Sequence, residues 1–152
     1  YTEVDTLSLH DALPICRAAI FYSSGNKDCH VILRGGSKPN YSKEDIDKTA
    51  NILQNNNLVE SIMVDMSHGN SSKQHKKQLI VCEDISKQIS LGEDRITGVM
   101  IESNIEEGNQ SAKDLKNLVY GQSITDACIN WEDTKTCLNQ LAEAVSAREN
   151  KT

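Results

Sequence analysis

The 152-residue sequence has few aromatic residues, few prolines and no long hydrophobic run. Aromatic side chains make up 4% of the residues, and there are 2 prolines, 1 tryptophan and 1 phenylalanine. Apolar runs such as 30–33 and 62–64 fall far short of the roughly 20 residues that a membrane-spanning helix needs. We therefore expect no membrane span. With 38% hydrophobic and 25% charged residues, the composition is that of a globular chain rather than a collagen-like or disordered one.

A basic surface is also lacking. The formal net charge is −6, from 16 Lys and Arg against 22 Asp and Glu. Lys73, Lys76 and Lys77 form the one basic cluster, and we expect them to be a solvated face early in a helix. Proteins that bind nucleic acids carry extended basic patches, because phosphate contacts dominate their affinity. The charge balance therefore argues against a nucleic-acid partner.

The cysteines do not form a disulfide pattern. Their number is odd and no C-x-x-C pair occurs among Cys16, Cys29, Cys82, Cys128 and Cys137. Free thiols in a reducing compartment are the expected state of such a set. No basic segment followed by an apolar core begins the chain, so a secretory signal is not indicated. Together these features predict a cytoplasmic protein.

The first sixteen residues differ in character from the rest. The run 5–15 looks like the conceptual translation of a sequencing adapter joined to a truncated reading frame. The alternative is a native helix that begins at Asp5 or Thr6 and ends at Pro14. We favour the adapter origin, leave 1–16 out of the fold, and assign 17–152 to the folded domain.

Short apolar runs alternate with amphipathic stretches from Cys29 onward. The apolar, β-branched runs predict strands over 29–33, 61–66 and 96–101. The amphipathic stretches predict helices over 42–56 and 72–91, and a final helix that starts near Ser123 or Thr125.

Several local signals support these helices. Ser42 and Asp45 form a capping box, and Gly92 is placed to end the second helix. The apolar face of the second helix is predicted to comprise Leu79, Cys82, Ile85 and Ile89. That of the final helix is predicted to comprise Ile124, Cys128, Trp131, Leu138, Leu141 and Val145, and we expect it to pack in the core.

Three apolar strands separated by helices predict a parallel sheet that is buried on both faces, in an α/β fold. Arg34, His68 and Glu102 each follow a strand, at intervals of 34 residues. Helical solenoids with such a period contain no buried strand, so repeated βαβ units fit better. Since the crossovers are right-handed, residues after successive strands meet at one edge of the sheet. Open α/β sheets and (β/α)8 barrels place their sites there.

Three of these residues are candidates for ligand binding. Arg34 precedes two glycines, so its guanidinium could bind a phosphate or carboxylate, or could simply pair with a neighbouring carboxylate. His68 and Glu102 could together hold a divalent ion, since imidazole and carboxylate suit Mn, Fe, Co or Zn. Taken singly, each could instead be a solvated residue at the end of a strand.

Asp126 has two interpretations. Residues 123–126 match a capping box, in which the acid would serve the start of a helix. From the pattern alone we favour this role over metal binding.

Five segments in order resemble the C-terminal part of the class I 3-deoxy-D-arabino-heptulosonate 7-phosphate (DAHP) synthases. They are HVILRGG with PNY (30–41), DMSHGNSSK (65–73), GVMIES (98–103), EGNQ (107–110), and the stretch from YG to WE (120–132). The resemblance extends from about Ala19 to the C-terminus.

The resemblance implies the last three strands of a (β/α)8 barrel. Enzymes of this family condense phosphoenolpyruvate with erythrose 4-phosphate and release phosphate, in the first step of the shikimate route to aromatic amino acids. They require a divalent metal ion. By motif, His68, Glu102 and Asp126 match three of the four metal ligands, which reverses the preference for Asp126 as a cap. Arg34 matches an arginine of the phosphoenolpyruvate pocket.

Other features of the family have no counterpart in this sequence. The fourth metal ligand, a cysteine, and the Lys-Pro-Arg-Thr substrate loop are both missing. We therefore expect a C-terminal fragment that is inactive alone and tends to aggregate through open sheet edges. One alternative is a non-catalytic regulatory or anion- and metal-binding module derived from the same barrel. A metal-dependent hydrolase or aldolase on that barrel is a weaker one.

The resemblance also bears on regulation and assembly. It implies a homo-oligomeric parent enzyme and feedback inhibition by an aromatic amino acid. Residues 19–26 resemble the second arm of a β-hairpin near the inhibitor site of the regulated enzymes. Phe21 and Tyr22 differ from the family's residues there, which leaves the identity of the inhibitor open.

Overall fold

The computed structural model describes residues 22–26, 28–113 and 115–151. Residues 1–16, with their proposed adapter origin, lie outside this part, as do residues 19–21 of the predicted hairpin arm. Residues 22–26 are not in a strand. In the described part, no helix is both long and apolar enough to cross a bilayer.

Three strands and three helices alternate along the described part of the chain. They are β1 (Val31–Leu33), α1 (Lys43–Asn55), β2 (Ile62–Asp65), α2 (Gln78–Ser90), β3 (Ile96–Met100) and α3 (Trp131–Glu149), with a 3-10 turn at His75–Lys77 before α2. The strands form one sheet in the order β1-β2-β3, and both neighbouring pairs are parallel. The prediction of a parallel α/β arrangement is confirmed.

The core lies where the helices cover the sheet. Strand residues of this core, such as Ile62 and Val64, are fully buried with Ile46 of α1 and Ile85 of α2. On the other face the predicted burial is wrong for the part of the chain described, because Ile32 is 51% exposed there. In the described part β1 and β3 each pair on one side only, so both are edge strands.

Helix α1 follows its sequence signals closely. The Asp45 N–H donates to Ser42 Oγ and the Ser42 N–H donates to Asp45 Oδ2, both at 3.3 Å, so the predicted capping box is present. Ile46, Ala50 and Leu53 are buried on the sheet. This helix therefore has the register that its apolar spacing predicts.

Helix α2 begins later than predicted. Ser72 and Lys73 have φ of 53° and 59°, a left-handed conformation that does not belong to an α-helix. The α-helix begins at Gln78, after the 3-10 turn. Its end agrees with the prediction, since Gly92 has φ of 113° and its N–H donates to the Ile89 carbonyl at 2.9 Å.

Helix α3 also begins later than predicted, at Trp131. Its N-cap is Asn130, whose Oδ1 accepts from the Asp133 N–H at 2.9 Å. The prediction that a helix starts at Ser123 or Thr125, with Asp126 in its cap, is wrong. Ser123 Oγ accepts instead from the Thr125 N–H at 3.1 Å, within a loop.

The apolar face of α3 is therefore only partly as predicted. Its buried residues are Thr134, Cys137 and Ala144, and Leu141 and Val145 pack against the core. The other predicted members are not core residues, because Cys128 is only partly buried in the preceding loop and Ile124, Trp131 and Leu138 are exposed. Thr134, Cys137 and Ala144 form the buried face of α3, and Leu138 lies outside it.

Candidate functional site

The candidate site lies at the carboxyl edge of the sheet, where the three strands end. Arg34 follows β1, His68 lies shortly after β2, Glu102 follows β3, and Asp126 belongs to the loop before α3. All four line one pocket of about 300 Å³, which Ser67, Lys73, His75 and Ala127 complete. The structure thus brings together the four residues that the sequence proposed as ligands.

Three of these side chains have the spacing of a metal site. One donor atom each from His68, Glu102 and Asp126 lies within 4.8 Å of the other two. Two ligand atoms about 2.1 Å from one divalent ion stand at most about 4.2 Å apart, so the bound on these separations is close to what a shared ion requires. The donor set, one imidazole and two carboxylates, suits a divalent transition metal.

His68 is oriented by Asp65, a residue that the sequence analysis did not single out. His68 Nδ1 lies 2.7 Å from Asp65 Oδ2, and the Ser67 N–H donates to Asp65 Oδ1 at 2.8 Å. Asp65 is only 2% exposed. With Nδ1 engaged, Nε2 is the nitrogen that faces Glu102, at 3.4 Å from its Oε1. Carboxylate partners commonly fix metal-binding histidines in this way.

Glu102 is held by its side chain and by its backbone. Ser67 Oγ donates to Glu102 Oε2 at 2.6 Å. The Glu102 N–H donates to Gln78 Oε1 at 2.8 Å, and Gln78 Nε2 donates to the Glu102 carbonyl at 3.0 Å. Gln78 is fully buried as the first residue of α2. The start of this helix therefore fixes the end of β3.

Asp126 is exposed, and its carboxylate makes no hydrogen bond or ion pair within the described residues. The loop that carries it is tied down on its C-terminal side. The Gly108 N–H and the Cys128 N–H exchange hydrogen bonds with each other's carbonyls, and the Ile129 N–H donates to the Glu102 carbonyl at 3.0 Å. Partial burial raises the pKa of the Cys128 thiol, and the nearby Glu102 and Asp126 carboxylates raise it further. Cys128 is thus protonated near neutral pH.

Arg34 is positioned by close packing of the two loops that follow β1 and β2. Gly35 has φ of 73°, and a Cβ there would lie 2.6 Å from the Asn70 backbone nitrogen. Asn70 Nδ2 donates to the Leu33 and Asp65 carbonyls at 3.0 and 2.7 Å. The Arg34 side chain is 63% exposed, with its Nε 3.7 Å from Asp65 Oδ2. Its terminal N–H groups make no hydrogen bond in the described part of the chain.

The three lysines do not form one basic face. Lys73 lines the pocket, whereas Lys76 pairs with Glu107 and, at 2.7 Å, with Asp133. These two carboxylates raise the pKa of Lys76. The sequence gives little indication that Lys73 lines the pocket. The apolar spacing of residues 79–89 extends back to residue 72 and therefore predicts that Lys73 lies on a helix. Asp65 could have been found from its place at the end of a buried strand, three residues before His68.

Comparison with known proteins gives a consistent result. The model of the DAHP synthetase I family matches residues 6–139, a range that begins within the segment 1–16. A phospho-2-dehydro-3-deoxyheptonate aldolase of Haemophilus influenzae is 52% identical over 136 residues, which are 89% of this chain and 38% of that protein. The Phe-sensitive aldolase of Escherichia coli K12 is 54% identical over 131 residues, 86% of this chain and 37% of that one.

A Trp-sensitive aldolase of Salmonella typhi is 50% identical over 129 residues, covering 85% of this chain and 37% of that protein. Among solved structures, the phospho-2-dehydro-3-deoxyheptonate aldolase of Francisella tularensis SCHU S4 is 50% identical, with a TM-score of 0.81 over 86% of this chain and 38% of that one. The chain therefore spans well under half the length of the relatives that it matches.

Proposed function

The chain belongs to the DAHP synthetase I family, and on that basis we propose that it is part of an enzyme that condenses phosphoenolpyruvate with erythrose 4-phosphate. The reaction forms a seven-carbon keto acid phosphate and releases inorganic phosphate. The observation that carries the proposal is the meeting of His68, Glu102 and Asp126 beside Arg34 in one pocket.

We propose that β1, β2 and β3 are the last three strands of a (β/α)8 barrel. Such barrels need about 250 residues, and residues 17–152 would be the C-terminal portion of that domain. The parallel order, the single-sided pairing of β1 and β3, and the exposed Ile32 all suit a sheet that continues beyond these strands. The enzyme would be a cytoplasmic homo-oligomer.

His68, Glu102 and Asp126 would hold a divalent ion, Mn, Fe, Co or Zn, and their donor types and spacing fit it. When bound, this ion supplies Lewis-acid polarisation of the aldehyde oxygen of erythrose 4-phosphate. Asp65 keeps the histidine ring in one orientation, and Ser67 donates to Glu102 Oε2, which leaves Oε1 as the oxygen that would bind the ion.

Arg34 would bind phosphoenolpyruvate. Its guanidinium presents a planar set of N–H donors, which matches the oxygens of a phosphate or carboxylate. The contact between Arg34 Nε and Asp65 is long, and the terminal nitrogens stay available to a ligand. An anion bound by these nitrogens would lie in the same pocket as the three metal donors.

The proposal is tested by the effect of Mn²⁺ on the phosphorus resonance of phosphoenolpyruvate. We expect the 152-residue chain with Mn²⁺ to broaden this resonance because the paramagnetic ion and the phosphate share one pocket. Glu102→Gln should remove the effect by weakening the metal site, and Arg34→Ala by weakening the anion site. Glu106→Gln, a change at an exposed neighbour, should preserve it. Equal broadening in all three variants would contradict the proposal.

We further propose that the chain alone has no synthase activity and tends to aggregate. It spans 38% or less of the relatives above, and the exposed edges of β1 and β3 are available for pairing between chains. Phosphate release from both substrates with added Mn²⁺ measures this directly. Turnover near that of an intact enzyme would show that the described site is sufficient.

The alternative is a non-catalytic module that binds a metal ion and an anion. The observation in its favour is that three of the family's four metal ligands and Arg34 meet in one pocket of this short chain. A monodisperse, stably folded chain would support this role. Aggregation of the chain would count against it.

We also propose that an aromatic amino acid inhibits the parent enzyme. Relatives are named Phe-sensitive and Trp-sensitive. Tyr22, in the segment predicted to lie near the inhibitor site, is exposed. Thermal unfolding of the parent enzyme with phenylalanine, tyrosine and tryptophan in turn would identify the amino acid by the largest stabilisation.

A further inference from the structure

The described residues that line the pocket include one arginine and one lysine, Arg34 and Lys73. Arg34 matches a family motif, whereas Lys73 was expected to be part of a solvated helix face. Its neighbour Lys76 is engaged by Asp133 and Glu107. The Lys73 ammonium makes no hydrogen bond or ion pair within the described part of the chain. Of these two lysines, Lys73 alone therefore offers free donors to a ligand in the pocket.

The backbone from His68 to Lys73 forms a turn that brings these two residues close together. The Lys73 N–H donates to the His68 carbonyl at 2.8 Å, and the Ser72 N–H donates to the Gly69 carbonyl at 3.2 Å. Ser72 and Lys73 both have positive φ, and His68 has φ of 45°. Glycine or asparagine adopts this conformation more readily than lysine does. The turn thus places a long cationic side chain beside a proposed metal ligand.

The net charge of the pocket depends on Lys73. Glu102 and Asp126 would balance the charge of a bound divalent ion, and Asp65, whose Oδ2 lies 3.7 Å from Arg34 Nε, would balance that of Arg34. Without Lys73 the site would therefore have no net positive charge to attract a phosphate dianion. With Lys73 the charge becomes positive, and the ammonium can donate to a phosphate oxygen that the Arg34 guanidinium does not reach.

We propose that Lys73 binds the phosphate group of a phosphorylated substrate, in the same pocket as Arg34. This inference rests on the proposed function, since it concerns substrate binding at that site. It assigns Lys73 a contact with substrate rather than a role in holding the fold.

The test compares Lys73→Asn and Lys73→Arg in the 152-residue chain. Asparagine tolerates the left-handed backbone and removes the charge, whereas arginine keeps the charge. Lys48→Ala on exposed α1 is the matched control for the loss of one positive charge. Calorimetric titration with inorganic phosphate, phosphoenolpyruvate and erythrose 4-phosphate, with and without Mn²⁺, gives the affinities. Circular dichroism establishes that each variant keeps the helical content of the wild type.

We expect Lys73→Asn to weaken binding of at least one phosphate ligand about five- to tenfold, as for the loss of one charge-assisted hydrogen bond. Lys73→Arg should restore most of the affinity, and Lys48→Ala should change it less than about twofold, as for screened surface charges. A loss with phosphoenolpyruvate, or only with erythrose 4-phosphate, would support the inference and identify the substrate.

Three results would overturn the inference: no saturable phosphate binding by the wild type, unchanged affinity in Lys73→Asn, or an equal loss in Lys48→Ala.

Mn²⁺ affinity, measured on the same samples, separates this inference from the proposed function. If Mn²⁺ does not bind at the three donors while phosphate affinity depends on Lys73, the proposed function fails and the Lys73 contact stands. If Mn²⁺ binds at the three donors and Lys73→Asn leaves phosphate affinity unchanged, the Lys73 contact fails and the proposed function stands.

Discussion

At the amino edge of the sheet, where β3 begins, Glu93 and Arg95 belong to a cluster of ion pairs, whereas several charged side chains at the carboxyl edge have no partner in the described residues. Arg95 Nη2 lies 2.6 Å from Glu93 Oε2 and 2.5 Å from Asp47 Oδ1, and Lys43 Nζ lies 3.4 Å from Glu93 Oε2. Glu93 is only 6% exposed. Two carboxylates thus pair with two cations, and the net charge of the cluster is zero.

The pairing at the amino edge changes the pKa of its members. The Arg95 guanidinium is the main cause that lowers the pKa of Glu93, and Glu93 in turn raises the pKa of Arg95. At the carboxyl edge, Asp126 has no partner in the described residues, and Arg34 and Lys73 keep free donors. Ion pairing at the amino edge stabilises the fold, whereas the carboxyl edge leaves its ligand groups available.

The largest effect is expected from breaking the paired cluster. Arg95→Gln leaves the buried Glu93 with Lys43 as its remaining cationic partner, which should lower the free energy of unfolding by about 2 to 3 kcal/mol. Urea denaturation measures the change. Lys87→Gln, at an exposed position of α2, should change stability by less than about 0.5 kcal/mol. Equal stability of the Arg95 variant and the control would contradict a stabilising role for the amino edge.

A second experiment compares the same substitution at the two edges, at Asp65 and at Asp47. Asp65→Asn should weaken Mn²⁺ binding about 10- to 100-fold, as for the loss of a carboxylate that orients a metal-bound histidine. Asp47→Asn, the same chemical change at the amino edge, should leave Mn²⁺ affinity unchanged and lower stability instead. Calorimetric Mn²⁺ titration measures the affinities. Weakening by Asp47→Asn to the same degree would remove the functional distinction between the two edges.

The smallest expected effect is on the pH dependence of folding stability, through Glu93 at the amino edge. Because the pKa of Glu93 is lower in the folded chain than its ordinary value of 4.5, this group adds stability above that value, and the contribution disappears as pH falls through the folded pKa. Urea midpoints from about pH 7 to about pH 3 should therefore fall more for the wild type than for Glu93→Gln. Parallel curves for the two proteins would show that Glu93 does not contribute this dependence.

The sequence predicted the sheet and the carboxyl-edge residues well because both depend on local patterns. Apolar runs located each strand to within about two residues, the precision expected at element ends. The spacing of Arg34, His68 and Glu102 predicted their meeting at one edge, since each follows a parallel strand. The position of Asp126 required the family resemblance, because a capping-box pattern also explains an acid three residues after Ser123.

The starts of α2 and α3 were misplaced for a physical reason. Asn130 with Asp133 is as good a helix start as Ser123 with Asp126, and the choice depends on distant contacts. The hydrogen bonds of Cys128 with Gly108 and of Ile129 with Glu102 hold the chain in a loop until Asn130. Local spacing contains no information about such contacts.

The paired cluster at the amino edge was not predicted at all. Arg95 and Asp47 are 48 residues apart in sequence, and no motif marks either residue. Their pairing follows from the packing of α1 near the start of β3, which the alternation of strands and helices does not specify in detail.

The most direct test of the account is an electron paramagnetic resonance titration of Mn²⁺ into the 152-residue chain and its Asp126→Asn variant. Asp126 decides the issue because it was placed by resemblance and then found beside His68 and Glu102. We expect one Mn²⁺ bound per wild-type chain and clearly weaker binding by Asp126→Asn, with unchanged circular dichroism. Equal Mn²⁺ binding by the two proteins would contradict it.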